Sequence, residues 1–248
     1  MNQKVLIIGG TSGLGRELAK LYCLQNDTVG IIGRRENLLN EFVKEFPTAK
    51  TLQADISSDS IEKQLDTFTK QLGGIDVLIL TASIIHFNPE LSINKEKDTL
   101  NTNISGFIRV INFAYHYFKE RNTGKIAVVT SVAKARGNKA APAYNASKAF
   151  QSSYMEGLRL RIKAEKLNIA VTEIVPGYIE TGMAKGDRIF WMTSVNKAAR
   201  QTKKAIDIKK RIAFITPRWW WVYQVQRLMP YFLYERLTNS AITLKKIN

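Results

Sequence analysis

Tyr144 and Lys148 stand four residues apart in Tyr144-Asn145-Ala146-Ser147-Lys148, a spacing that puts both on one face of a helix. A phenol with a pKa near 10 exchanges protons poorly at neutral pH, and a neighbouring ammonium makes it a better acid–base group by favouring phenolate. Such a pair also arises by chance on ordinary helices, so its weight comes from two further residues. Ser131 follows the apolar run Ile126–Val129 and can hold a substrate oxygen beside the phenol. Asn103, in Asn101-Thr102-Asn103-Ile104-Ser105-Gly106, falls in a helical pattern, where a buried amide needs partners and can anchor a water leading to Lys148.

A second constellation lies at the N-terminus. Val5–Ile8 runs into Gly9-Gly10-Thr11-Ser12-Gly13-Leu14-Gly15, and a helical pattern follows. Glycines allow a tight turn and close approach to a pyrophosphate, while the first helical N–H groups favour negative charge. The second apolar run ends in Gly33-Arg34-Arg35 with no acid to bond the ribose hydroxyls of NAD. Two guanidinium groups suit a 2′-phosphate, so NADP (NADPH) is favoured over NAD; the alternative is a pair of solvated helix-start arginines. Asp55, after the third run, either bonds an adenine amino group or caps the helix starting near Ser58.

Strand-length apolar runs at Val5–Ile8, Val29–Ile32, Lys50–Gln53, Val77–Leu80, Ile126–Val129 and Ile169–Val175 position these residues. They alternate with 3.6-period segments near Gly13–Gln25, Glu36–Phe46, Asp59–Leu72, Lys95–Lys119 and Tyr144–Lys166. Repeated βαβ units predict an α/β fold with a doubly wound parallel sheet. After Pro176 come a loop through Gly186, a helix near Val195–Ile208, a short strand at Ile212–Ile215 and an aromatic amphipathic extension. No linker divides the 248 residues, which predicts one domain spanning 1–248, with 186–248 as a variable lid region.

In family order, the glycine turn, Asp55, the N-x-x-G segment, Ser131, Y-x-x-x-K and Pro176-Gly177 resemble the short-chain dehydrogenases/reductases over roughly Val5 to Thr181. The resemblance implies a Rossmann fold of about seven strands and hydride transfer between NADP(H) and a ketone or secondary alcohol. Tyr144 would be the acid/base, Lys148 would lower its pKa and hold the nicotinamide ribose, Ser131 would position the carbonyl, and Asn103 would support a proton relay. The implied dinucleotide contacts are Gly9, Thr11, Ser12, Gly13, Leu14, Gly15, Arg34, Arg35, Asp55, Ile56, Ala82, Asn103, Tyr144, Lys148, Pro176, Gly177, Ile179 and Thr181, the last two at the carboxamide. Two departures stand out: Ile8 replaces the family's Thr, and Leu80-Thr81-Ala82-Ser83 stands where the family has N-N-A-G. The second loses a glycine near the cofactor and leaves Thr81 to replace the Asn as a hydrogen-bonding support. A homodimer or homotetramer through the two long helices is likewise implied.

The net charge of +16 is uneven: thirteen bases face three acids from Gly186 onward, giving +10 there. Trp219-Trp220-Trp221 opens a tail that runs past Arg227 and Pro230 to Tyr234. Aromatic rings with basic neighbours suit an anionic membrane surface through 218–234, and the same rings suit a substrate lid or a subunit contact. A cytoplasmic protein, peripheral on the inner membrane surface if the tail binds lipid, is the expectation. Cys23 is the single cysteine, which rules out internal disulfides and multi-cysteine zinc sites. His86, on the loop after the fourth strand, reads as a solvated loop residue or as one that faces substrate, and His116 as packing between tyrosines, so no metal is expected; nor is a specific nucleic acid, for want of stacking aromatics along a phosphate-tracking groove. The tail's apolarity points to an apolar or lipid-like substrate. The rival is a catalytically silent dinucleotide-sensing or membrane-surface binding module.

Overall fold

A computed structural model describes residues 2–181 and 191–240. The expected loop through Gly186 falls mostly outside them. The chain alternates β1 (Lys4–Ile8), α1 (Gly13–Cys23), β2 (Thr28–Gly33), α2 (Glu36–Glu45), β3 (Lys50–Gln53), α3 (Ile61–Gln71) and β4 (Val77–Leu80). It continues through α4 (Ile93–Leu100), α5 (Phe107–Arg121), β5 (Gly124–Val129), α6 (Pro142–Ala164), β6 (Ile169–Pro176), α7 (Val195–Asp207) and β7 (Ile212–Ile215).

The strands pair in parallel in the order β3-β2-β1-β4-β5-β6-β7. Leu6 sits between Gly30 of β2 and Leu78 of β4, so the chain winds outward from β1, returns, and winds out on the other side. That reversal opens a crevice at the carboxyl ends of β1 and β4, where doubly wound sheets place ligands. Alternate residues of one strand feed opposite cores. Leu6 and Ile8 pack with α3, α5 and α6 through Leu65, Phe107, Phe118 and Met155. Val5 and Ile7 pack with α1, α2 and α7 through Leu18, Tyr22, Phe42 and Ile206. Burial on both faces is why these strands carry unbroken apolar runs instead of alternation.

Three expected elements differ. The continuous helix expected over Lys95–Lys119 is broken by a π-helical turn, Asn101–Gly106, between α4 and α5. Periodicity alone does not register such a widening, and π turns concentrate at functional positions. Gly106 allows close passage there, since a Cβ would lie 2.7 Å from Ile56 Cγ1. A short 3-10 turn, Val132–Ala135, follows β5 and was not apparent from periodicity. The tail forms two helices, α8 (Trp219–Leu228) and α9 (Tyr231–Ser240), separated at Pro230, whose ring cannot continue the ladder. Among the described residues no helix is long and apolar enough to cross a membrane.

Candidate active site

After β1 the backbone turns back over the sheet, with Gly9 N donating to Ile32 O at 2.8 Å. Gly9 has φ +96, and a Cβ there would lie 2.5 Å from Ala82 N and 2.6 Å from Thr81 Oγ1. Glycine is thus required by the loop after β4, which runs against the turn. Thr81 supports that loop as expected, its hydroxyl and amide both donating to Ile8 O. Gly13, with φ +53, faces Thr181 Cγ2 across a gap in which a Cβ would sit 3.1 Å away. The turn delivers the first amides of α1 with no acidic residue in the first turn and no side-chain cap on Ser12. Uncapped N–H groups at a helix N-terminus suit a phosphate. Arg35 reaches the same mouth, donating to Thr11 Oγ1 and Ser12 Oγ at 2.7 Å each. This donor set fits the diphosphate of a dinucleotide.

The two arginines are therefore not equivalent. Arg34 extends largely into solvent and meets Asp55 only at 3.4 Å, whereas Arg35 is docked on the turn. Asp55 does not cap α3, whose N-cap is Ser60; its Oδ1 accepts from Ser57 N and Oγ, and those bonds with Arg34 hold its carboxyl below the usual range against burial, the largest influence. Of the two alternatives for Asp55, helix capping is excluded.

Tyr144 enters on the first turn of α6, which opens on Pro142, a residue pre-shaped for that position. Lys148 lies one turn on and is buried, its Nζ donating to Val129 O at 3.1 Å and Gln151 Oε1 at 3.0 Å. Its Nζ is 5.7 Å from the centre of the Tyr144 ring. Burial pulls the Lys148 ammonium down to about 7, with the Glu173 carboxylate pulling the other way. Burial pushes the Tyr144 phenol up, and Ser131 offsets only part of that rise. Lys148 Nζ lies on the Tyr144 side of the helix, as the i, i+4 spacing predicted, and Ser131 faces the phenol as well.

Ser131 lies two residues beyond β5, in extended backbone, and also accepts from Ala133 N at 3.1 Å, so the 3-10 turn fixes its hydroxyl. Asn145 clamps that turn to α6, donating to Ala133 O at 2.9 Å and Arg136 O at 2.8 Å. Asn103 is fully buried, and its amide is saturated. Oδ1 accepts from Ile84 N and Ser83 Oγ, while Nδ2 donates to Ile84 O and to Ser147 Oγ. Ser147 in turn donates to Tyr144 O at 2.7 Å. Asn103 therefore ties the loop after β4 to the tyrosine helix, and Ser83, the residue in place of the family's glycine, is one of its partners.

Residues outside the sequence reading complete the surroundings. Glu173, buried on β6, accepts from Thr130 Oγ1 at 2.8 Å and from Lys134 Nζ at 2.6 Å. A lone Glu within an apolar run was the available signal. Trp219 is buried while Trp220 and Trp221 are exposed, and a Cβ on Gly177 would strike the Trp219 ring at 1.9 Å. The indole thus packs closely against Gly177. The Ile179 backbone bridges to Thr193, and Thr181 stands over Gly13. Arg136 donates to the carbonyls of Gln226, Arg227 and Met229, closing the C-terminal end of α8. His86 meets Asp98 at 2.6 Å, and His116 is exposed with its edge on Tyr115 instead of packed between tyrosines.

Residues 3–189 match the family model described as short chain dehydrogenase. An uncharacterized oxidoreductase of Mycobacterium tuberculosis is 31% identical over 249 residues, covering 96% of each chain. An 11-beta-hydroxysteroid dehydrogenase 1A of Arabidopsis thaliana is 30% identical over 191 residues, which span 73% of this chain and 54% of the plant protein. A short chain dehydrogenase of Burkholderia cenocepacia, solved in complex with NADP, superimposes with a TM-score of 0.80 at 20% identity, covering 95% of this chain and 97% of that one.

Proposed function

Because this chain belongs to the short-chain dehydrogenase family, we propose that it is an NADP(H)-dependent oxidoreductase that interconverts a ketone and a secondary alcohol of apolar, lipid-like character. The observation that carries this is the Tyr144 phenol facing Ser131 on the crevice side of the sheet, with Lys148 buried behind it. In the reducing direction Ser131 Oγ–H donates to the substrate carbonyl oxygen and fixes it beside Tyr144 Oη. The phenol releases its proton to that oxygen as its charge develops, and the tyrosinate is then reprotonated. The bound dinucleotide supplies the hydride. Arg35 and the amides of α1 take the diphosphate, and Arg34 is free to turn toward a 2′-phosphate.

NADP is favoured by the absence of an acid after β2 and by the NADP complex of the Burkholderia protein. An apolar substrate is favoured by the names of the plant relatives, since a hydroxysteroid is a large apolar alcohol. The experiment is NADPH oxidation by the purified protein across a panel of apolar ketones, beside Tyr144→Phe, which lacks only the transferable proton. Turnover by the parent and its loss by at least about a hundredfold in the variant is the expected result. NADPH binding without turnover on any carbonyl would favour the silent binding module.

The tail supports a second reading, association with an anionic membrane surface. Trp221, Val225 and Leu228 occupy one face of α8 at 67%, 57% and 77% exposure, and Tyr231 and Phe232 extend the apolar surface into α9. Arg227 and Arg236 adjoin it. Binding to phosphatidylserine vesicles that weakens in salt, and is lost in Trp221→Ala/Phe232→Ala, is expected; equal sedimentation of parent and variant would reject it.

A further inference from the structure

We infer that Gln151 is a positioning residue that fixes Lys148 by bridging it to the Asn103 carbonyl. The inference rests on the oxidoreductase reading of the site. Gln151 is on α6, three residues after Lys148, and is 1% exposed. Its Oε1 accepts from Lys148 Nζ at 3.0 Å, and its Nε2 donates to Asn103 O at 2.8 Å. Lys148, Gln151 and Asn103 thus form one unbroken hydrogen-bonded chain. The Asn103 amide is already saturated by Ser83, Ile84 and Ser147, so its main-chain carbonyl, in the π turn, is the acceptor left for Gln151.

A carboxamide link has a chemical consequence. Water can accept a proton on one side and release another, whereas a carboxamide keeps both N–H protons at neutral pH and its oxygen is weakly basic. Gln151 therefore transmits polarity and holds geometry, but it does not hand protons on. Two of the three ammonium hydrogens are committed to Val129 O and Gln151 Oε1, and the Nζ is thereby anchored beside the Tyr144 ring.

Gln151→Leu and Gln151→Ala separate this role from simple packing. Both remove the bridge. Leu fills the space, whereas Ala opens a pocket beside Lys148 Nζ and Asn103 O, polar enough to seat a water. Leu should lower kcat at least about tenfold with KM for the carbonyl little changed, and Ala should recover severalfold over Leu. Thermal stability should rank the other way, because Ala leaves the larger cavity. Without dinucleotide, the pH above which stability begins to rise through Lys148 should fall in Gln151→Leu, since its ammonium loses an acceptor. Parent-like kcat and an unmoved pH onset in both variants, with stability alone altered, would overturn the inference. If the parent turns over no carbonyl, the functional reading fails on its own, and the pH onset still decides whether Gln151 holds Lys148.

Discussion

Lys148→Met should abolish a pH dependence of stability that the parent shows above neutrality. The ammonium is pulled down to about 7 in the folded protein by burial, opposed by Glu173. In the unfolded chain a lysine titrates near about 10.4. Below pH 7 both states carry the proton, so the folded protein bears the whole cost of a buried charge and that cost does not vary. Above pH 7 the folded state sheds the proton while the unfolded state keeps it, so stability must rise with pH. Each unit is worth about 1.4 kcal/mol once the folded group is fully deprotonated, so the gain between pH 7, where it is half titrated, and pH 9 is about 2 kcal/mol. In the variant Val129 O and Gln151 Oε1 lose their donor, a loss of roughly 1–3 kcal/mol each that is the same at every pH. Urea unfolding of both dinucleotide-free proteins at pH 6, 7, 8 and 9 isolates the effect, because all other titrations are common to the pair and cancel. A parent-minus-variant difference constant within about 1 kcal/mol over that range would refute the reasoning.

Arg34→Asp should reduce the NADPH over NADH preference by about 10- to 100-fold in kcat/KM, the value of a charge-assisted bond, and an unchanged ratio would remove Arg34 as the phosphate reader. Trp219→Ala should destabilise by about 3–5 kcal/mol in urea melts, since a buried indole leaves a cavity over Gly177; a loss under about 1 kcal/mol would show that the ring is dispensable. Arg136→Ala uncaps the carbonyls of Gln226, Arg227 and Met229, so trypsin should cut after Arg227 severalfold faster, and equal cleavage rates would mean that α8 is held by other contacts.

Much of the fold was legible because burial on both faces of a parallel sheet writes itself into the chain as apolar runs separated by helical periodicity. Strands at Lys50–Gln53, Val77–Leu80 and Ile212–Ile215 fall where those runs predicted. The site was legible where chemistry is local: Gly9 and Gly13 announce a turn, and Tyr144 and Lys148 share a helical face whatever surrounds them. The break at Asn101–Gly106 was not, because a π turn interrupts the ladder without interrupting the apolar pattern.

The sequence by itself determined which groups could exchange a proton and which could meet a phosphate, since those properties belong to residue types and short spacings. Only the tertiary structure decided how each is held. Ser131 faces the Tyr144 phenol; Arg35, not Arg34, sits on the glycine turn; and Gln151 stands between Lys148 and Asn103. Of three adjacent tryptophans, Trp219 alone turns inward onto Gly177. Each of these depends on contacts between segments far apart in the chain, and on burial that strengthens every charge and every unmet hydrogen bond. No local pattern encodes such contacts.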